Sequence, residues 1–324
     1  MLPHFLMRHT TSHSQSLIFR SGAEAMGVCV EPVGLHLDCS MPWLAGPPSQ
    51  ILVQGGTPLG ADDAWLLQTD DTLAGVLIGN ADGSLESETR RLYGHLFALT
   101  RGFNRYRIWN FVPHINKEVA GVENYLAFNS GRHRAFTDEF GRISSKDLSA
   151  ASAVGIQRGP LALAFVAGTD CVEHFENPLQ LPSARYPVRY GKNSPLFARG
   201  SRVRTAAGNT WWHLSGTASI RASETIGSDF SQQLEITLEN IQNMLDVMVV
   251  PAQRHATWKV FLRNRRHLAQ CREHLARFYP NEVDQMTFVE ADICRRDLLL
   301  EIEAIFHLSA PSLPIPANPP LCTH

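Results

Sequence analysis

Two carboxylates stand in the middle of an apolar run, Leu298-Leu-Leu-Glu-Ile-Glu-Ala-Ile305. Alternation along an extended strand sends Leu298, Leu300, Ile302 and Ala304 to one face and Leu299, Glu301, Glu303 and Ile305 to the other. A carboxylate is costly to bury ionised, so a buried Glu301 should hold its proton to higher pH. A carboxylic acid still protonated near neutrality can serve as a general acid. Spacing alone favours a blander arrangement, an edge strand with Glu301 and Glu303 in water. A second feature is the stretch from Arg185-Tyr-Pro-Val-Arg-Tyr190 to Arg199, rich in guanidinium and phenol groups. Arg199 and Arg132 could hold carboxylates in bidentate fashion, with Tyr186 and Tyr190 donating hydroxyl hydrogen bonds. Ser215 and Thr217 are further candidate donors, although a strand hydroxyl more often bonds backbone. Gly131-Arg-His-Arg134 could equally be a solvated helix end, and His213 reads as a satisfied core or surface histidine.

The totals narrow the chemistry. The chain has 324 residues, 44% hydrophobic and 19% charged, with 29 Lys plus Arg against 31 Asp plus Glu. This is the composition of a soluble globular protein of one or two domains. Near-neutral charge argues against nucleic acid or a membrane surface as the main partner. The basic cluster Arg263-Asn-Arg-Arg266 reads as the solvated start of a helix. The six cysteines are scattered, without Cys-x-x-Cys or zinc-finger spacing, so a reduced cytoplasmic protein without a metal is expected. No Gly-x-Gly-x-x-Gly follows a strand, which leaves a nicotinamide or pyridoxal enzyme without support and implies no cofactor. The start is too short in apolar length for a signal peptide.

The elements that would position these residues follow from periodicity. Residues 1–80 read as strands and turns. Ser84 caps a helix running to Thr100, with Glu86 and Glu88 in its first turn. Arg107–Val112 and Leu161–Ala167 read as buried strands, with a helix between them from Asn116 to about Phe136. Residues 168–200 form a long, functional-looking loop. Thr210–Ile220 is a strand interrupted at Gly216. Gln232–Val247 and Arg265–Phe278 are helices, and Thr257–Leu262, Met286–Asp292 and Leu298–Leu308 are strands. The expected division is an N-terminal α/β domain over 1–150, a catalytic domain over 151–310 and a Pro-rich flexible tail over 311–324.

The strand and helix order over 210–308, ending in Glu-Ile-Glu-Ala, resembles the RidA-like (YjgF) fold, a mixed α/β sheet packed on helices. The chain more specifically resembles the chorismatases. The segments that carry this are Arg107-Ile-Trp-Asn-Phe, Phe128-Asn-Ser-Gly-Arg-His-Arg-Ala135, Glu176-Asn-Pro178, Arg185–Arg199, Ser215-Gly-Thr-Ala-Ser219, Gln233–Asn240 and Ala291–Glu303. They cover most of the chain beyond residue 100; the first hundred residues carry little of it. The resemblance implies an enzyme that splits pyruvate from chorismate without cofactor, and it places the catalytic acid on Glu301. Gly216 and Cys294 resemble the type that forms 3-hydroxybenzoate, alone or with 4-hydroxybenzoate for pigment and ubiquinone synthesis. At Gly216 the hydrolytic type, which yields a dihydroxycyclohexadienoate, carries Ala. Small Gly216 would let the ring shift, and Cys294 would fill space against water rather than act as a thiolate. Glu303, on the face of Glu301, is expected to matter far less unless its charge holds Glu301 protonated. Whether such a protein is a monomer or a homotrimer stays open.

Two alternatives compete. A RidA-type enamine/imine deaminase would hold a carboxylate with an Arg fifteen residues before Glu301, where this chain has Met286. A non-catalytic binder of small aromatic acids would use the Arg/Tyr stretch but gain nothing from an acid at 301.

Overall fold

The computed structural model describes residues 15–308, apart from 32–33, 54, 62–63 and 81–82. The Pro-rich segment 311–324 therefore lies outside the described residues. Among these residues are four α-helices: α1 (Leu85–Leu99), α2 (Asn124–Phe140), α3 (Phe230–Val247) and α4 (Leu268–Phe278). They pack on a mixed sheet framework, an α/β architecture as the sequence led us to expect.

A six-stranded sheet runs in the order Ala150–Ile156, Asn104–Pro113, Ala162–Gly168, Thr72–Ile78, Ala64–Gln68, Thr57–Ala61. It extends to Gly168, past residue 150, where the sequence suggests a boundary. One face carries α1 and α2, through Leu92, Phe97, Phe128 and Phe136 against Ile108, Val112 and Phe165. α1 begins where expected, because the Ser84 side chain accepts the Ser87 N–H. α2 begins eight residues later than its pattern suggests. Residues 118–123 form a small hairpin, since Ala120 and Gly121 take left-handed φ values of 50° and 81° that turn the chain back.

A seven-stranded sheet runs Cys171–Phe175, Gly200–Arg204, Thr210–Thr217, Leu300–Leu308, His255–Leu262, Thr287–Glu290, Trp43–Ala45. Leu300, Ile302, Ala304 and Phe306 face α3 and α4, packing on Leu234, Ile241 and Leu275. The opposite face meets the six-stranded sheet and a four-stranded sheet containing Ser16–Ser21. Phe19, Trp109, Phe111, Val203 and Phe261 join in this shared core. The expected alternation of the Leu300–Leu308 strand thus holds. The edge position that spacing alone favours does not: antiparallel neighbours flank it on both sides. Glu301 and Glu303 point inward from this strand and are 3% and 4% exposed.

Candidate active site

The strand Thr210–Thr217 loses register with Leu300–Leu308 between Leu214 and Thr217. This irregularity brings the Gly216 backbone against Glu301. A Cβ built on Gly216 would lie only 1.9 Å from Glu301 Oε1. Glycine is therefore required for the carboxyl to sit where it does. The Gly216 N–H donates to Ser152 Oγ at 2.9 Å, fixing the irregular segment to the neighbouring sheet.

Glu301 opens onto a cavity of about 340 Å³, lined also by Gly216, Cys294, Arg132, Arg199, Tyr186, Tyr190, Ser152 and Arg295. That volume lies at the small end of ligand sites. Burial pushes the Glu301 carboxyl up to about 8; the Glu303 charge adds to this, while Arg107 and Arg199 oppose it. Its Oε1 has no hydrogen-bond partner among the described residues. A neutral acid with an unengaged oxygen at a cavity wall can deliver a proton to a bound molecule.

The cations sit as the sequence suggests, with different surroundings. Arg199 is 5% exposed; its Nη2 donates to the Tyr186 hydroxyl at 2.7 Å, and the guanidinium lies over the Phe197 ring. Arg132 is no solvated helix end. It is buried within α2, donates to Asn129 Oδ1 at 2.7 Å and leaves its Nε without a hydrogen bond among the described residues. Tyr186 accepts from Arg199, so its own proton remains for a ligand. Tyr190 differs from expectation: its hydroxyl donates to Glu224 Oε2 at 2.7 Å, and its ring supplies the cavity wall.

Ser215 and Thr217 are corrections. Ser215 Oγ donates to the Ala198 carbonyl at 2.6 Å and accepts the Ala151 N–H at 2.9 Å. Thr217 Oγ1 donates to the Ser215 carbonyl. Both hydroxyls are spent on backbone, and neither residue lines the cavity, because Gly216 occupies the cavity-facing position between them. Cys294 does line it. Burial, then Glu301, pushes its thiol up to about 12, so it stays protonated and apolar.

Arg295 was not among the residues the sequence singled out. Its guanidinium lies 4.0 Å from the Tyr190 ring centroid, Nη1 donates to the Ser223 carbonyl at 2.7 Å, and Nη2 is buried without a hydrogen bond among the described residues. Adjacency to Cys294 was the available signal. The loop carrying both is pinned by Arg263, which donates to the carbonyls of Ile293, Arg295 and Leu298. Arg263 is thus a staple for the site rather than the solvated helix start its neighbours suggest.

The family model described as "Chorismatase FkbO/Hyg5-like, N-terminal" matches residues 54–167. A 3-hydroxybenzoate synthase of Streptomyces hygroscopicus is 32% identical over 242 residues, covering 69% of this chain and 70% of that protein. A chorismatase of Streptomyces rapamycinicus is 32% identical over 273 residues, covering 78% and 80%. The chain belongs to the chorismatase family. A chorismatase crystal structure superposes with a TM-score of 0.77 at 26% identity, over 92% of this chain and 96% of that one. The family match begins at residue 54, within the first hundred residues, where the sequence alone carries little of the resemblance. Among the described residues, no helix is long and apolar enough to cross a membrane, and Cys29, Cys39, Cys171, Cys271 and Cys294 are free thiols.

Proposed function

We propose that this chorismatase family member cleaves chorismate to pyruvate and 3-hydroxybenzoate, with Glu301 as the general acid. The observation that carries the reading is the buried Glu301 carboxyl, its Oε1 without a hydrogen-bond partner among the described residues, at the wall of a cavity lined by arginines. Chorismate has a ring carboxylate, an enolpyruvyl carboxylate and a ring hydroxyl beside the ether. Arg199 and Arg132 suit its two carboxylates, and Arg295 adds a third guanidinium. Protonation of the enol-ether methylene by Glu301 gives an oxocarbenium ion and weakens the bond between ring carbon and ether oxygen. The neighbouring hydroxyl attacks that ring carbon and sheds its proton. The ether bond breaks with its electron pair passing to oxygen, and pyruvate leaves. The resulting epoxide opens, its oxygen takes a proton, and the ring loses one to become 3-hydroxybenzoate. No water is consumed, whereas hydrolysis would add one and keep the ring non-aromatic.

This division of labour separates two substitutions. Gly216→Ala forces the Glu301 carboxyl to move, so pyruvate release should fall at least about tenfold, roughly 1.4 kcal/mol of barrier. Cys294→Ala opens space beside the acid without touching it. It should retain most pyruvate release but shift product toward the dihydroxycyclohexadienoate. Incubation with chorismate, followed by chromatography and mass measurement, reads both. It also reports whether 4-hydroxybenzoate accompanies the 3-isomer. Wild-type protein that releases no pyruvate from chorismate would overturn the assignment. Unchanged rate and products in both variants would remove Gly216 and Cys294 from control of the reaction.

A further inference from the structure

Beneath the acid lies a charge cluster that proton delivery to the substrate does not itself use. Glu303 follows Glu301 by two residues on the same inward face of its strand. Its Oε2 accepts from Arg107 Nη2 at 2.7 Å and from Ser152 Oγ at 2.5 Å. Its Oε1 accepts from Trp109 Nε1 at 3.1 Å and faces Lys259 Nζ at 3.4 Å. Arg107 and Trp109 come from one strand, Ser152 from its neighbour, and Lys259 from the strand beside Glu303. Arg107 and Lys259 are 1% and 2% exposed. A carboxylate with four donors converging on it is ionised. Although burial opposes this, Lys259, Arg107 and Ser152 hold Glu303 below the usual carboxylate range.

Such a cluster is a poor device for stability alone. Taking these ions out of water costs about what their attraction returns, and well-packed apolar residues often do as well. Its position suggests another role. Ser152 Oγ accepts from the Gly216 N–H and Arg107 while donating to Glu303, and it also borders the cavity. The same hydroxyl therefore ties the anion to the segment against which Glu301 rests.

We propose that Glu303, clamped as an anion by Arg107, Lys259 and Ser152, is a positioning residue that keeps the proton on Glu301 between turnovers. This rests on the reading of Glu301 as the acid. Two carboxylates on adjacent inward positions cannot both ionise cheaply, so fixing one charge assigns the proton to the other. After Glu301 gives up its proton, the same repulsion favours its return. The other groups facing Glu301 are Arg107, Arg199 and Cys294, with the cations Arg132, Arg189, Arg295 and Arg296 and the carboxylates Glu123 and Asp297 elsewhere on the cavity wall. Arg107 and Arg199 oppose the Glu303 effect, and the protonated Cys294 thiol is neutral. Around the cluster, Cys39 lies near Lys259 with its thiol pushed up by burial, and burial and Arg107 hold His213 neutral at about 3.

The test reads the proton on Glu301 directly, without turnover. Infrared difference spectra against Glu301→Gln identify the carbonyl band of the protonated acid, which is then titrated in wild type, Glu303→Gln and Glu303→Asp. In Glu303→Gln the midpoint should fall by at least about one pH unit, a tenfold loss of proton affinity. Glu303→Asp should restore much of it. The alkaline limb of pyruvate release should move with the band. Glu303→Gln strands two cations, so the double variant Lys259→Met/Glu303→Gln provides a less charged core and should show the same direction of shift. An unmoved midpoint in a folded variant overturns the proposal. A wild type with the band but no pyruvate release defeats the chorismate reading instead and leaves the charge relation standing.

Discussion

The Glu301→Gln protein should bind chorismate and release almost no pyruvate. Gln preserves size and polarity but has no proton to give to carbon. The loss should be at least on the order of the 10²–10⁴-fold that general acid catalysis supplies. In the wild type, pyruvate release should fall as pH rises through about 8, where the acid ionises. The same substitution should spare the fold, and its stability carries a sign that separates catalysis from packing. Ordinary Glu titrates near 4.5, whereas the folded group titrates near 8. Between these values the folded chain keeps a proton that the unfolded chain releases, so wild-type stability drops as pH rises through this window. Gln does not ionise and escapes that loss. The Tm of Glu301→Gln relative to wild type should therefore climb between about pH 5 and pH 8, as expected of a site that sacrifices stability for function. Calorimetry or ligand-binding assays, with a coupled pyruvate assay, check both halves. Substantial pyruvate release from Glu301→Gln would defeat the proposed acid.

Much of this site was legible because its key strand carries a clean two-residue period. Glu301 and Glu303 share a face by alternation alone. Residue type pointed to Arg199 and Arg132, the family resemblance pointed to Gly216 and Cys294, and all four line one cavity with Glu301. The strand's central position was not legible. Its partners come from residues 210–217 and 255–262, and no local pattern announces which strands pair. The Glu303 clamp was hidden for the same reason: Arg107 and Ser152 lie 196 and 151 residues away in sequence. Ser215 and Thr217 misled because a hydroxyl beside a functional glycine looks like a ligand, while a strand sends its neighbours to the opposite side. The late start of α2 followed from Ala120-Gly121. Its left-handed turn outweighed a helical apolar rhythm beginning at Asn116.

Arg199→Ala should weaken kcat/KM for chorismate about ten- to a hundredfold, the equivalent of a charge-assisted bond of roughly 1.5–3 kcal/mol. The guanidinium is already oriented before substrate arrives. Phe197 lies under it, the Tyr186 hydroxyl accepts from Nη2, and its Nε has no hydrogen bond among the described residues. That preorganisation reduces the ordering cost of gripping a carboxylate. Removing the side chain need not strand a buried charge. Glu176, whose Oε2 faces Arg199 Nε at 4.0 Å, is pushed by burial to about 7 even with the cation present. Without Arg199 it moves higher and becomes neutral at pH 7, so the variant should fold. Because the carboxylate is held in both ground and transition states, the loss should appear mainly in KM. Arg199→Lys should fall between wild type and Ala, since it keeps the charge but loses the planar fork and the stacking on Phe197. Steady-state pyruvate release across chorismate concentrations, with a thermal melt as the folding control, decides the matter. A folded Arg199→Ala protein with near-normal kcat/KM would make Arg199 a structural partner of Tyr186 and Phe197 and leave the carboxylates to Arg132 and Arg295.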